Sequence, residues 1–93
     1  MSEILTRHLV VRGHVQGVGY RNYISYKADV LGIRGWVRNR SDGSVEAVVQ
    51  GTAEAVAEII RCAERGPRAA RVDRVEIRDA AGEFPDFIVS QRK

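Results

Sequence analysis

The residues best able to do chemistry are grouped in one stretch, Gly13-His14-Val15-Gln16-Gly17-Val18-Gly19-Tyr20-Arg21. It leads from an alternating, strand-like segment into a segment of helical period. The first N–H groups of that helix have no intrahelical partner and open toward the loop. Gly17 and Gly19 can take positive φ and bring the backbone to a ligand with no Cβ in the way. Successive N–H groups then form a concave nest, and the helix dipole adds to its attraction for an anion. Arg21 follows at once, a planar fork of donors suited to phosphate oxygens. A tight strand-to-helix turn with a surface arginine is the other reading of these residues. Two glycines, a helix start and an arginine in one place favour the anion site.

Named phosphate motifs do not fit. The stretch is not G-x-x-x-x-G-K-[ST], so the lysine and the magnesium-holding hydroxyl of a nucleotide-binding loop are missing. Nor is it G-x-G-x-x-G with an acidic residue about 20 positions on. No cysteine lies in the loop, which excludes a thiolate phosphatase. Cys62 falls in a later helical segment and is expected to be a small packed residue. It makes no zinc set with His8 and His14 at ligand spacing. Asn39 ends a strand-like run just before a turn, where an Asn often serves turn backbone.

These residues need elements to hold them. The chain has 93 residues and one cysteine, which suits a single domain over 1–93 and excludes a disulfide-stapled scaffold. Met1-Ser2-Glu3 lacks the charged and apolar regions of a secretion signal. No apolar run approaches the ~20 residues of a membrane span. Charge is uneven: residues 1–51 hold seven basic and four acidic groups, whereas residues 52–93 hold eight of each. Between Arg7 and Arg40 only Asp29 opposes seven cations, a field that favours anionic ligands.

Leu5, Leu9 and Val11 share a parity and predict a strand over about residues 5–13. Tyr20, Ile24, Ala28 and Leu31 keep a helical period that Gly32 stops. Gly35 to Asn39 reads as a second strand, Ser41-Asp42-Gly43 as a hairpin turn, and Val45, Ala47 and Val49 as the inward side of a third. Thr52 is a plausible N-cap for a helix with the stripe Val56, Ile59, Ile60 and Ala63, ended by Gly66-Pro67. Val75 and Ile77 mark a fourth strand, and Phe87 and Val89 a short fifth. The order is βαββαβ plus a terminal strand. Two right-handed crossovers interleave into one antiparallel sheet with two helices on one face, the ferredoxin-like α/β sandwich of the α+β class. That fold serves many functions and names none.

The stretch from Gly13 to Arg21, with Ala28, Leu31-Gly32, Gly35-Trp36-Val37-Arg38-Asn39, Asp42-Gly43, Val45-Glu46, Gly51 and Gly66-Pro67, resembles the acylphosphatase family over residues 6–89. The resemblance implies metal-free, cofactor-free hydrolysis of the carboxyl–phosphate bond of acyl phosphates. It implies that Arg21 and the loop His14, Val15, Gln16, Gly17, Val18, Gly19 and Tyr20 hold the phosphate. It also implies that Asn39 positions the attacking water. Tyr20 stands where the family often has Phe, and His14 at a variable position expected to be exposed. The implied partners are a small acyl phosphate and inorganic phosphate as product and inhibitor, with no nucleic acid and no membrane. A cytoplasmic monomer is expected.

The chemistry points the same way. Near the loop there is no nucleophilic Cys, no carboxylate pair and no metal set, so the site offers placement and charge stabilisation with little proton transfer. An acyl phosphate releases a carboxylate of pKa ~4, already stable at neutral pH. Phosphoryl transfer through a loose transition state asks mainly for such placement. Two alternatives stand beside this reading. An RNA-recognition domain shares the element order, but its third strand carries stacking aromatics, and Val45-Glu46-Ala47-Val48-Val49-Gln50 has none. A non-catalytic acylphosphatase-like binding module, as at the start of hydrogenase-maturation proteins, is the other.

Overall fold

The computed structural model describes residues 3–90. Met1 and Ser2, which open the segment expected to carry no leader, and residues 91–93 lie outside the described residues. The elements are β1 (Ile4–His14), α1 (Tyr20–Leu31), β2 (Arg34–Asn39), β3 (Val45–Thr52), α2 (Ala53–Arg65), β4 (Arg71–Asp79) and β5 (Phe87–Ser90). No helix among them is long and apolar enough to cross a membrane.

The sheet order is β4-β1-β3-β2-β5. Pairing is antiparallel between β1 and β3, β1 and β4, and β2 and β3. The fifth strand departs from the all-antiparallel expectation. It crosses from the β4 edge to the far edge and joins β2 in parallel, Gly35 opposite Phe87 and Arg38 opposite Ser90. Alternation in a short strand fixes which face it buries and leaves open which edge it joins, so the sequence pattern could not report this.

Parity decides the core. Leu9, Val11, Val37, Val45, Ala47 and Val49 point to one face and are almost fully buried. Tyr20, Ile24 and Ala28 of α1 and Val56, Ile59 and Ala63 of α2 close over them in one cluster. Burying an aliphatic side chain of this size contributes about 1.5–3 kcal/mol, so this layer is what holds both helices to the sheet. The expected stripe on α2 shifts slightly: Ile60 is half-buried and Cys62 is buried in its place.

Helix ends follow local chemistry. The Thr52 hydroxyl accepts from the Ala55 N–H at 3.1 Å and caps α2. Gly32 closes α1 in the left-handed conformation at φ 70°. Two tyrosines then fix α1 against α2. Tyr20 Oη donates to the Ala63 carbonyl at 2.7 Å, and Tyr23 Oη to the Cys62 carbonyl at 2.9 Å. These acceptors lie in the last turn of α2, where the Ala63 carbonyl is past the reach of the helix ladder and the Cys62 carbonyl also accepts from the Gly66 N–H at 2.9 Å. Burial pushes the Tyr20 phenol well above its ordinary pKa, so it stays a donor.

On the sheet face away from the helices, Trp36 is half-buried under the Arg38 guanidinium, 4.9 Å from the ring centroid. Arg38 also pairs with Glu46, which accepts from His8 at 2.6 Å. Burial works against the Glu46 carboxylate, but the hydrogen bonds from His8 and Arg38 outweigh it and hold its pKa below the usual range. The indole is therefore already stacked, in a charge network of the protein's own.

Candidate active site

The loop between β1 and α1 makes its turn through two left-handed glycines, Gly17 at φ 75° and Gly19 at φ 79°. A Cβ at either would meet nothing within 4 Å. Backbone conformation, and not crowding by the protein, makes glycine the fitting residue at both. Gly19 is the N-cap of α1, and it offers no side-chain cap. No acidic residue stands in the first turn of α1 either. The contrast with Thr52 on α2 is direct: one helix start is closed by a hydroxyl, and the other has no side-chain cap.

In front of this open start lies a small cavity of about 110 Å³, lined by Val15, Gly17, Gly19, Tyr20, Arg21, Asn22 and Asn39. Arg21 comes from the first turn of α1 and Asn39 from the end of β2, two elements whose separation the core sets. Arg21 Nη1 donates to the Ser90 carbonyl of β5 at 2.7 Å. No carboxylate pairs with Arg21 among the described residues. Asn39 is half-buried and sits opposite Val45 in the β2–β3 ladder. Its side-chain amide makes no hydrogen bond to another described residue, so the turn-serving reading of Asn39 finds no partner here.

The residues expected to hold the phosphate separate by position. Val15, Gly17, Gly19 and Tyr20 line the cavity with Arg21 and Asn39, whereas His14, Gln16 and Val18 do not. His14 is exposed at the end of β1. The Val15 and Tyr20 side chains are buried in the core, so what they present at the loop is backbone. The Gln16 amide turns away to the β2–β3 turn, where Nε2 donates to the carbonyls of Arg40 and Ser44. Asn22 lines the cavity without having been singled out in the sequence; its place in the first turn of the open helix was the available signal. Ser90, which braces Arg21, carries no sequence signal because it acts through its carbonyl.

A wider groove of about 510 Å³ runs past Ser25, Asp29, Gly32, Arg34 and Asp86. It holds two carboxylates and no open helix start, the wrong sign for an anion. Among the described residues no three of His, Cys, Asp or Glu come together as a metal-binding group.

Fold and site together give an α+β sandwich with an uncapped helix start beside a small cavity that Arg21 and Asn39 line. The acylphosphatase family pattern matches residues 7–89. An acylphosphatase of Thiobacillus denitrificans is 52% identical over 82 residues, 88% of this chain and 92% of that protein. The structure of an acylphosphatase from Coxiella burnetii superposes with a TM-score of 0.89 at 33% identity, covering 94% of this chain and 93% of that one. HypF of T. kodakarensis contains a similar unit, TM-score 0.81 at 33% identity, covering 91% of this chain but 12% of that one. The chain belongs to the acylphosphatase family, and is one of its enzymes.

Proposed function

We propose that the protein, acting as a single domain over residues 1–93 and as a cytoplasmic monomer, hydrolyses acyl phosphates to carboxylate and inorganic phosphate. One observation carries the reading: an uncapped helix start, an uncancelled arginine and an unpaired amide face one another across a cavity of about 110 Å³. That volume lies below the ~300 Å³ at which clefts for larger ligands begin. It suits a phosphoryl group whose acyl remainder stays outside.

In this reading the loop N–H groups and the free edge of the Arg21 guanidinium take the phosphoryl oxygens. The brace from Ser90 keeps the fork aimed. The Asn39 Oδ1 accepts a hydrogen bond from the water and so directs a lone pair of the water oxygen at phosphorus, in line with the bond to the carboxyl oxygen. The water oxygen–phosphorus bond forms as the phosphorus–carboxyl oxygen bond breaks, and the carboxylate leaves unprotonated. An amide is a poor base, so the water's proton passes to the phosphoryl oxygens. Uncancelled positive charge meets the oxygens as the transition state forms, the kind of preorganisation that dominates such steps.

The test is turnover of benzoyl phosphate in excess EDTA, with inorganic phosphate added as inhibitor. Unchanged turnover in chelator and competitive inhibition by phosphate are expected. Activity lost to EDTA and restored by magnesium would overturn the reading.

A further inference from the structure

Residues 15–19 belong to neither β1 nor α1, so no ladder or helix holds them across from Asn39. Val15 packs into the core, but among the described residues the side-chain hydrogen bonds from this loop to the hairpin that carries Asn39 all come from Gln16. Gln16 Nε2 donates to the Arg40 carbonyl at 2.7 Å and to the Ser44 carbonyl at 2.9 Å. These are the two carbonyls that close the β2–β3 turn. The Ser44 carbonyl also accepts from the Arg40 N–H at 2.9 Å, and the Arg40 carbonyl from the Gly43 N–H at 3.2 Å. A primary amide has two donors on one nitrogen, enough for both acceptors. A carboxylate in its place has none, and asparagine is one methylene shorter.

Arg40 directly follows Asn39. The clasp therefore fixes the chain next to Asn39 from the loop side, while the pairing of Asn39 with Val45 fixes it from the sheet side.

We propose that Gln16 is a positioning residue: its amide sets the distance between the anion cradle and Asn39 and does not itself grip phosphate. This rests on the functional reading above and assigns Gln16 a different part from the rest of its loop. A displacement of about 1 Å between reacting groups can cost on the order of 100-fold in rate. Losing the clasp should thus tell on kcat and spare anion binding.

The experiment compares wild type with Gln16→Met, of similar length but without donors, and Gln16→Asn, with donors that fall short. Each is also combined with Asn39→Ala. Three quantities are measured: benzoyl phosphate kinetics, inorganic phosphate affinity by calorimetry, and hydrogen exchange of the Gly43 N–H. Either Gln16 variant should lose about 10- to 100-fold in kcat, with phosphate affinity within about threefold of wild type. The Gly43 N–H should exchange faster. In the Asn39→Ala background the same change should cost less than about threefold, because the residue it positions is gone.

A loss of phosphate affinity as severe as that of Arg21→Gln would make Gln16 part of the cradle and overturn the proposal. So would losses that multiply in full with Asn39→Ala, or an unchanged kcat with unchanged Gly43 exchange. Undiminished kcat in Asn39→Ala alone would overturn the site reading beneath it. Should Gln16→Met fail to fold, Gln16→Asn carries the same comparison.

Discussion

Arg21 and Ser90 stand 69 positions apart and are joined by one hydrogen bond, Arg21 Nη1 to the Ser90 carbonyl at 2.7 Å. One edge of the guanidinium is thereby engaged by β5, and under the proposed function the rest of the fork takes the phosphoryl oxygens. A single ammonium could not serve both with the same geometry. Arg21→Gln should lower kcat/KM by on the order of 10³ or more. Arg21→Lys should fall nearly as far although it keeps the charge. Arg74→Gln, which removes an exposed partner of Glu76, should leave the kinetics near wild type. Steady-state kinetics of the three variants check this, and near-normal turnover in Arg21→Lys would show that charge alone suffices.

Asn39 separates from Arg21 by what it is asked to do. If it orients water, Asn39→Ala should lose mainly kcat while inorganic phosphate binds nearly as well as to wild type. Its amide has no other described partner, so unfolding by denaturant should move little, by less than about 1 kcal/mol. Equal loss of phosphate affinity in Asn39→Ala and Arg21→Gln would place Asn39 in the cradle instead.

Gly19→Ala tests the loop conformation without crowding it. At φ 79° and ψ 18° an added Cβ meets no neighbour within 4 Å. The cost is then that of a left-handed alanine, roughly 1–2 kcal/mol. Gly19→Asn should cost less, since Asn visits that region more readily. Chemical denaturation of both variants reads the difference, and an alanine variant as stable as wild type would contradict the conformation described.

Much of this was legible in the sequence because it is local. The parity of Leu9 and Val11, the helical spacing of Tyr20, Ile24 and Ala28, the Thr52 cap and the Gly32 stop each depend on residues a few positions apart. Arg21 and Asn39 were legible as candidates, and the cavity holds both. What stayed hidden depends on the crossover. The parallel seat of β5, the Ser90 brace and the Gln16 clasp join residues that only the three-dimensional topology brings together. All three run through backbone groups, which every residue carries and no residue type advertises.

The β2–β3 turn gives the protein an acid-sensitive point. The Ser44 hydroxyl and N–H both donate to Asp42, and Arg40 and Arg12 stand nearby. Together they lower the Asp42 pKa to about 2, the Ser44 hydrogen bonds foremost. The unfolded carboxyl titrates near ~4. Between these values the unfolded chain binds more protons than the folded one, so stability rises with pH. The Asp42 contribution is thus complete above pH ~4 and is lost as pH falls toward 2. Asp42→Asn keeps the Oδ1 acceptor and removes the titration. Its unfolding free energy should fall less steeply from pH 4 to 2 than that of wild type, and parallel slopes would show that Asp42 is not the group responsible.

Under the proposed function a water held by Asn39 attacks phosphorus while the loop and Arg21 hold the phosphoryl group. Benzoyl phosphate turned over in water enriched in oxygen-18, with both products read by mass spectrometry, tests it most directly. One labelled oxygen is expected in the inorganic phosphate and none in the benzoate. Label in the benzoate would place the attack at the carbonyl carbon and contradict it.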